Sequence, residues 1–277
     1  MGETDATGTS RRKALWLLAA AAGLGTLGAD SARQSAAPGK TTRPPVAAPR
    51  PRAVILPKPV PKPRPAPWTP VRLTAAKPKT PIKNLDELVP PPPPQSIALT
   101  IDDGPNPAIT PQVLDLLAQH QIRATFFIIG EQVKEFPKLT RRIADAGHQV
   151  CNHTMSHPLG FEDLTAKRVR KEIAEAHDRI ADLTGIVPVF FRAPGGGWSD
   201  AVLDVTAEYG MLPIDWAVDP QDWRRPGVGT IRRTLVGSEA GNILLCHDGG
   251  GDRTQTLKAL RQAIPQLKRR GLSFVAL

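Results

Sequence analysis

From Ser96 to the C-terminus, short apolar runs alternate with stretches of helical periodicity, and this alternation limits the possible folds more than any other feature of the chain. Apolar runs bounded by turn residues read as buried strands, and they fall at 97–99, 124–129, 148–151, 189–191, 212–218, 242–246 and 272–277. Between them lie helical patterns with their own start and stop signals. Thr110-Pro111 is an N-cap followed by a first-turn proline. Pro137 opens a helix that stops at Gly147, and Thr165 begins one that Gly185 ends. Ser199 caps a helix reaching Tyr209, Thr230 begins another, and the last runs over 254–270. Strands alternating with helices build a parallel sheet. About seven such repeats predict an α/β fold, an irregular TIM-like (β/α)7 barrel smaller than the full eightfold one.

The first third of the chain has a different character. Ser10-Arg11-Arg12-Lys13 precedes an apolar run from Ala14 to Ala29, the shape of an export signal. The arginine pair resembles a twin-arginine signal, with Ala14 where that motif usually has Phe. The run is short for a membrane span, so residues 1–30 read as a signal segment that could also serve as an anchor. Residues 31–95 hold most of the prolines and, from Ser31 to Leu85, no acidic residue. Such a segment buries too little apolar surface to offset its ordering entropy, which predicts a disordered, polyproline-like basic linker. It reads as a passive spacer or as an arm that adheres to a wall polymer. The catalytic domain is then 96–277.

The formal charge of +10 looks like a nucleic-acid footprint until it is divided by region. Residues 1–95 carry 15 Lys/Arg against 5 Asp/Glu, whereas residues 96–277 carry 21 of each. The folded part is neutral and lacks a nucleic-acid fold signature, so nucleic acid is not an expected partner. Membrane contact is expected only through the N-terminal segment, and the protein is expected to be an exported monomer, extracellular or associated with the cell envelope. Two cysteines, Cys151 and Cys246, exclude a disulfide framework and a thiolate-rich zinc site; they read as two buried thiols or one disulfide.

Polar clusters fall at the carboxyl ends of successive strands, where α/β barrels place their chemistry. Asp102-Asp103-Gly104-Pro105 puts two carboxylates on a turn, one able to hold a metal while the other takes a proton. By itself the stretch Thr100 to Pro105 also reads as a solvated turn. His153 and His157, four apart on a tight loop, can converge on one ion or stand merely solvated. Arg192-Ala193-Pro194-Gly195-Gly196-Gly197 offers backbone N–H groups suited to an oxyanion. Asp219 through Trp223 brings a carboxylate and an indole, and Leu245-Cys246-His247 ends a strand on an imidazole.

These five clusters, in this order, resemble the polysaccharide deacetylase family (the NodB-homology domain, carbohydrate esterase family 4) over residues 96–277. The resemblance implies the NodB-homology fold and a divalent cation, zinc or else Co2+ or another first-row ion, held by Asp103, His153 and His157. It implies Asp102 as the base, oriented by Arg192, and His247 as the acid, tuned by Asp219. Gly195 would support the oxyanion, and Leu245 and Trp223 would wall the pocket for the acetyl methyl. One departure bears on substrate shape. Many members have an aromatic residue after the Arg-x-Pro proline, whereas Gly195 stands here, so the groove is expected to be more open and to lack one stacking surface. The implied activity is hydrolysis of acetamido groups on an acetylated polysaccharide, peptidoglycan ahead of chitin-type oligomers, with release of acetate. An O-acetyl esterase acting on acetylated xylan and a carbohydrate-binding pseudoenzyme are the alternatives.

Overall fold

The computed structural model of the protein describes residues 80–277; the expected signal segment and most of the proline-rich stretch lie outside the described residues. Seven strands form: β1 (Ser96–Asp102), β2 (Thr125–Ile128), β3 (Gln149–Asn152), β4 (Phe190–Phe191), β5 (Leu212–Pro213), β6 (Ile243–His247) and β7 (Ser273–Val275). Every pairing is parallel. The strand order is β5-β4-β3-β2-β1-β6, with β7 joined to β1. Residues just past β5 reach round to β6, where Ala217 donates its N–H to the carbonyl of Ile243 and Leu245 donates to that of Val218, each at 2.9 Å. The curled parallel sheet is the irregular barrel that the βα alternation predicts.

Seven helices surround it: α1 (Thr110–His120), α2 (Gly130–Glu135), α3 (Pro137–Asp145), α4 (Ala166–Thr184), α5 (Asp200–Glu208), α6 (Val228–Val236) and α7 (Thr254–Arg269). Side chains alternate along each strand, so one strand feeds two cores. Ile97, Leu99 and Ile101 of β1 join Phe126, Ile128, Leu244 and Cys246 against helix residues such as Leu117 and Leu260. Ala98 faces the other way, into a core with Phe127, Cys151, Phe190 and Ile243. Register carries this inner face to the strand ends, where Asp102 pairs with Phe127 on one side and His247 on the other. The two cysteines are free and buried, in different cores. Burial pushes both thiols up, which makes them inert side chains.

The linker was expected to run to residue 95, and its last part is instead folded. Ile82, Leu85 and Leu88 are buried in the inner core. Their backbone is tied in as well: Ile82 donates to Pro213 at 2.9 Å, Asp215 to Ile82 at 2.6 Å and Leu85 to Gly241 at 2.7 Å. Apolar residues at every third position suit one tight turn, and Leu85–Glu87 is a 3-10 turn that places Leu85 and Leu88 against the core. The prolines on either side hide that short pattern. The expected strand over 212–218 shrinks to two residues, because its later part bends away to pair with β6. Helix α2 lacks a sequence signal: six residues beginning with glycine show no periodicity. Its first N–H groups are satisfied from outside the helix, by Thr154 at 3.0 Å and Met155 at 2.9 Å.

Candidate active site

The end of β1 supplies the first two groups. Asp102 is 2% exposed, and its Oδ1 accepts from Arg192 Nη1 at 2.8 Å. Arg192 follows β4 and is fully buried, a position a guanidinium occupies only when its donors are used. They are: Nη1 also reaches Thr100 Oγ1 at 2.7 Å, Nη2 the carbonyl of Asp215 at 2.8 Å and Nε that of Ile214 at 3.3 Å. The Phe127 ring covers one face of the guanidinium, 4.1 Å from the ring centroid. One oxygen of Asp102 is therefore fixed, and its Oδ2 is turned toward His153, 3.8 Å from Nε2.

Asp103 sits at φ 71°, in the left-handed region that Asp tolerates better than most residues. This turns its carboxylate toward the loop after β3, where Oδ1 lies 3.4 Å from His153 Nε2 and 3.2 Å from His157 Nε2. His153 Nδ1 lies 2.7 Å from the carbonyl oxygen of Arg192. A carbonyl only accepts, so Nδ1 carries a proton and Nε2 is the nitrogen left to face Asp103 and a cation. Burial and the neighbouring His153 lower the pKa of His157, which favours its neutral form. Burial opposes ionisation of Asp103, and positive charge facing it from the histidine side of the cleft is what holds the carboxyl well below the usual range. The buried Oδ1 has no hydrogen-bond partner. Two imidazole lone pairs and an anionic oxygen thus converge, all within 4.8 Å of one another. Such a set repels itself unless a cation stands at its centre, and its donors fit a divalent first-row ion.

Across the cleft, β6 ends on His247. Its Nδ1 lies 2.7 Å from Asp222 Oδ1, and its backbone N–H donates to Asp222 Oδ2 at 2.9 Å. Thr256 donates to the same Oδ2 at 2.7 Å. Burial works against a charge on His247, but the hydrogen bond and charge of Asp222, helped by Asp102 and Asp103, raise its pKa to about 9. The partner expected from the sequence was Asp219, and this is corrected. Asp219 lines the cleft but spends its Oδ1 on the backbone N–H of Gln221 at 2.7 Å. Gln221 then takes a left-handed φ of 50° and opens the Asp222–Arg224 turn, which carries the second aspartate under the imidazole.

The polysaccharide deacetylase family model matches residues 90–214. A chitooligosaccharide deacetylase of Sinorhizobium fredii is 44% identical over 191 residues, spanning 64% of this chain and 87% of that protein. A peptidoglycan-N-acetylglucosamine deacetylase of Bacillus cereus is 41% identical over 182 residues, spanning 65% of this chain and 84% of that one. The chain belongs to the polysaccharide deacetylase family. The crystal structure of the peptidoglycan N-acetylglucosamine deacetylase Bc1960, bound to a naphthyl-substituted N-oxidanyl-benzamide, superposes with a TM-score of 0.64 at 37% identity. That match covers 66% of this chain and 86% of the other.

In this polysaccharide deacetylase, a hydrolase of carbon–nitrogen bonds, the two halves of the site face one cleft of about 450 Å³. Gly195, Leu245 and Trp223 are in its wall. Gly195 adopts φ 61°, so glycine is demanded there by backbone and not by space, since nothing stands within 4 Å of where a Cβ would be. Beside these glycines an aromatic wall comes from another segment of the chain. A Cβ on Gly196 would lie 3.1 Å from the Trp216 ring, and Trp216 also lines the cleft. Sequence reading did not single out Trp216, Asp222 as the imidazole's partner, or Arg253, a buried arginine in the cleft wall that donates to the carbonyl of Gly250 at 3.1 Å. A larger surface groove of about 650 Å³ beside α3 and α4 contains none of the site residues.

Proposed function

We propose that this deacetylase is a divalent-cation-dependent N-deacetylase of N-acetylglucosamine polymers, with zinc as the ion and peptidoglycan as the preferred substrate. One observation carries the reading: the converging Nε2 atoms of His153 and His157 and the carboxylate of Asp103 lie between an arginine-fixed Asp102 and a carboxylate-backed His247. A divalent cation held there supplies Lewis acidity toward an acetamide carbonyl and toward water. Asp102, with one oxygen tied to Arg192, takes the proton of the attacking water on its other oxygen. The amide carbon gains a bond to the water's oxygen and loses its bond to nitrogen. His247, kept protonated by Asp222, gives the departing amine its proton. The backbone N–H of Gly195 stands at the developing oxyanion. Leu245 and Trp223 close round the acetyl methyl.

Relatives named for chitooligosaccharide and for peptidoglycan are similar at nearly the same level. The preference for peptidoglycan is supported by the proline-rich basic stretch, which suits a domain exported and held out in a cell wall. The test is acetate release by the full-length protein from N-acetylglucosamine oligomers, peptidoglycan glycan strands and acetylated xylan. It is run with zinc, with chelator, and with zinc restored. Chelator-sensitive release fastest from glycan strands is the expected result. Release from xylan alone, or release indifferent to chelator, would overturn the proposal.

A further inference from the structure

We infer that Glu172, on α4, is a positioning residue for the cation site: its carboxylate fixes the loop that presents His157, and the affinity for a divalent cation depends on it. The inference rests on the reading of Asp103, His153 and His157 as ligands.

The residue is out of place by its helix's own pattern. Val169, Ile173, Ala176 and Ile180 form the buried stripe of α4, and Glu172 falls within it at 3% exposure. A carboxylate in an apolar stripe is costly unless its oxygens are satisfied. Here Oε2 accepts from the backbone N–H of Ser156 at 2.8 Å, and Oε1 accepts from Ser156 Oγ at 2.9 Å. Arg168, one turn earlier and 49% exposed, adds a contact at 2.7 Å. An ion pair that open to water contributes little, so the two bonds to Ser156 are the specific ones.

Ser156 immediately precedes His157, in a loop that does not hold itself. Thr154 at φ 68° and His157 at φ 53° occupy the left-handed region without being Gly, Asn or Asp. Such residues persist only where their surroundings over-determine them. The first half of the loop is well anchored: His153 donates its N–H to Ile128 at 3.1 Å, and Gly130 and Glu131 bond to the carbonyls of Thr154 and Met155. His153 is further fixed through Nδ1. His157 has a backbone bond to Thr154 Oγ1 at 3.0 Å and an imidazole 27% exposed. Glu172 is thus the nearest anchor from outside the loop to the less constrained of the two imidazoles, and it acts through Ser156 without touching the ion or substrate.

The experiment measures zinc affinity of the full-length protein by competition with a chromogenic chelator, and the visible spectrum of the Co2+-loaded protein. The panel is wild type, His157→Ala, Glu172→Ala, Glu172→Gln and Ser156→Ala. Loss of a group bonded directly to a metal ligand typically costs 10–100-fold in affinity, and Glu172, which acts one residue further out through Ser156, is expected to cost about tenfold in Glu172→Ala. Its Co2+ spectrum should move toward that of His157→Ala. Glu172→Gln keeps an acceptor oxygen and should lose less; Ser156→Ala keeps the backbone bond and should lose least. Wild-type affinity and spectrum in both Glu172 variants, even with a lowered Tm, would reduce Glu172 to a structural residue and overturn the inference. If Glu172→Ala does not fold, wild-type affinity in Glu172→Gln and Ser156→Ala overturns it equally. If His157→Ala binds zinc as tightly as wild type, the ligand reading itself is wrong and Glu172 loses its role with it.

Discussion

Replacing Asp222 by Asn tests the acid half of the site most sharply, because it removes a charge while nearly preserving shape. In the native protein His247 has its pKa raised from 6.5 to about 9. At 1.36 kcal/mol per pH unit, that difference is roughly 3 kcal/mol in favour of the imidazolium. Burial pulls the other way, and the two largest raising contributions, a hydrogen bond and a Coulomb attraction, both come from Asp222. Asp102 and Asp103 supply the remainder, and a cation at Asp103 offsets part of it. Most of the elevation therefore disappears with the Asp222 charge. The sign follows from the role: an acid with a raised pKa is present at low pH and is lost as pH rises through the folded value. The alkaline limb of kcat/KM should then lie near pH 9 in the wild type and fall by at least about one unit in Asp222→Asn, which is a loss of at least about threefold at pH 8.5 and approaches tenfold at about pH 10. Asp219→Asn should leave the limb in place. A limb unmoved by Asp222→Asn, or one moved instead by Asp219→Asn, would refute the assignment.

Three further outcomes follow from the geometry. A chain starting at residue 80 should keep the full-length Tm, whereas one starting at residue 96 should melt much lower or fail to fold. The latter loses the buried side chains of Ile82, Leu85 and Leu88, worth roughly 1.5–3 kcal/mol each, and calorimetry of the two truncations measures this. Asp102→Asn should bind zinc and release no measurable acetate, because an amide cannot take the water's proton; acetate release at the wild-type rate would remove Asp102 as base. Gly249→Ala should weaken zinc binding, since its Cβ would stand 2.0 Å from the carbonyl oxygen of Asp103 and displace that ligand's backbone; zinc affinity equal to wild type would show that the turn yields freely.

The motifs that could be read directly are those in which one strand end supplies the whole group. Asp102 ends β1 and Asp103 directly follows it, His153 and His157 lie on a single five-residue loop, and Leu245 and His247 share a face because strand side chains alternate. The choice between Asp219 and Asp222 was not readable. Both stand in the same short motif, and which one meets the imidazole depends on a left-handed residue between them. Glu172 left a trace that could have been followed, a carboxylate in an apolar helical stripe, but its partner lies 16 residues away on another element.

By itself the sequence determined the order of the strands and of every helix but α2, the ends of the strands on which polar groups gather, and the neutrality of the folded region beside a basic N-terminal stretch. These are local properties, set by periodicity, turn residues and composition within a few residues of each other. The tertiary structure alone decided that 82–88 packs into the inner core, that Trp216 supplies an aromatic wall beside the glycines, and that Asp222 charges His247. It also decided that Arg192, which the resemblance had only paired with Asp102, 90 positions earlier, is completely buried. The reason is common to all four. A buried charge or apolar side chain is placed by partners that close around it from distant segments, and only the curled sheet brings those segments together.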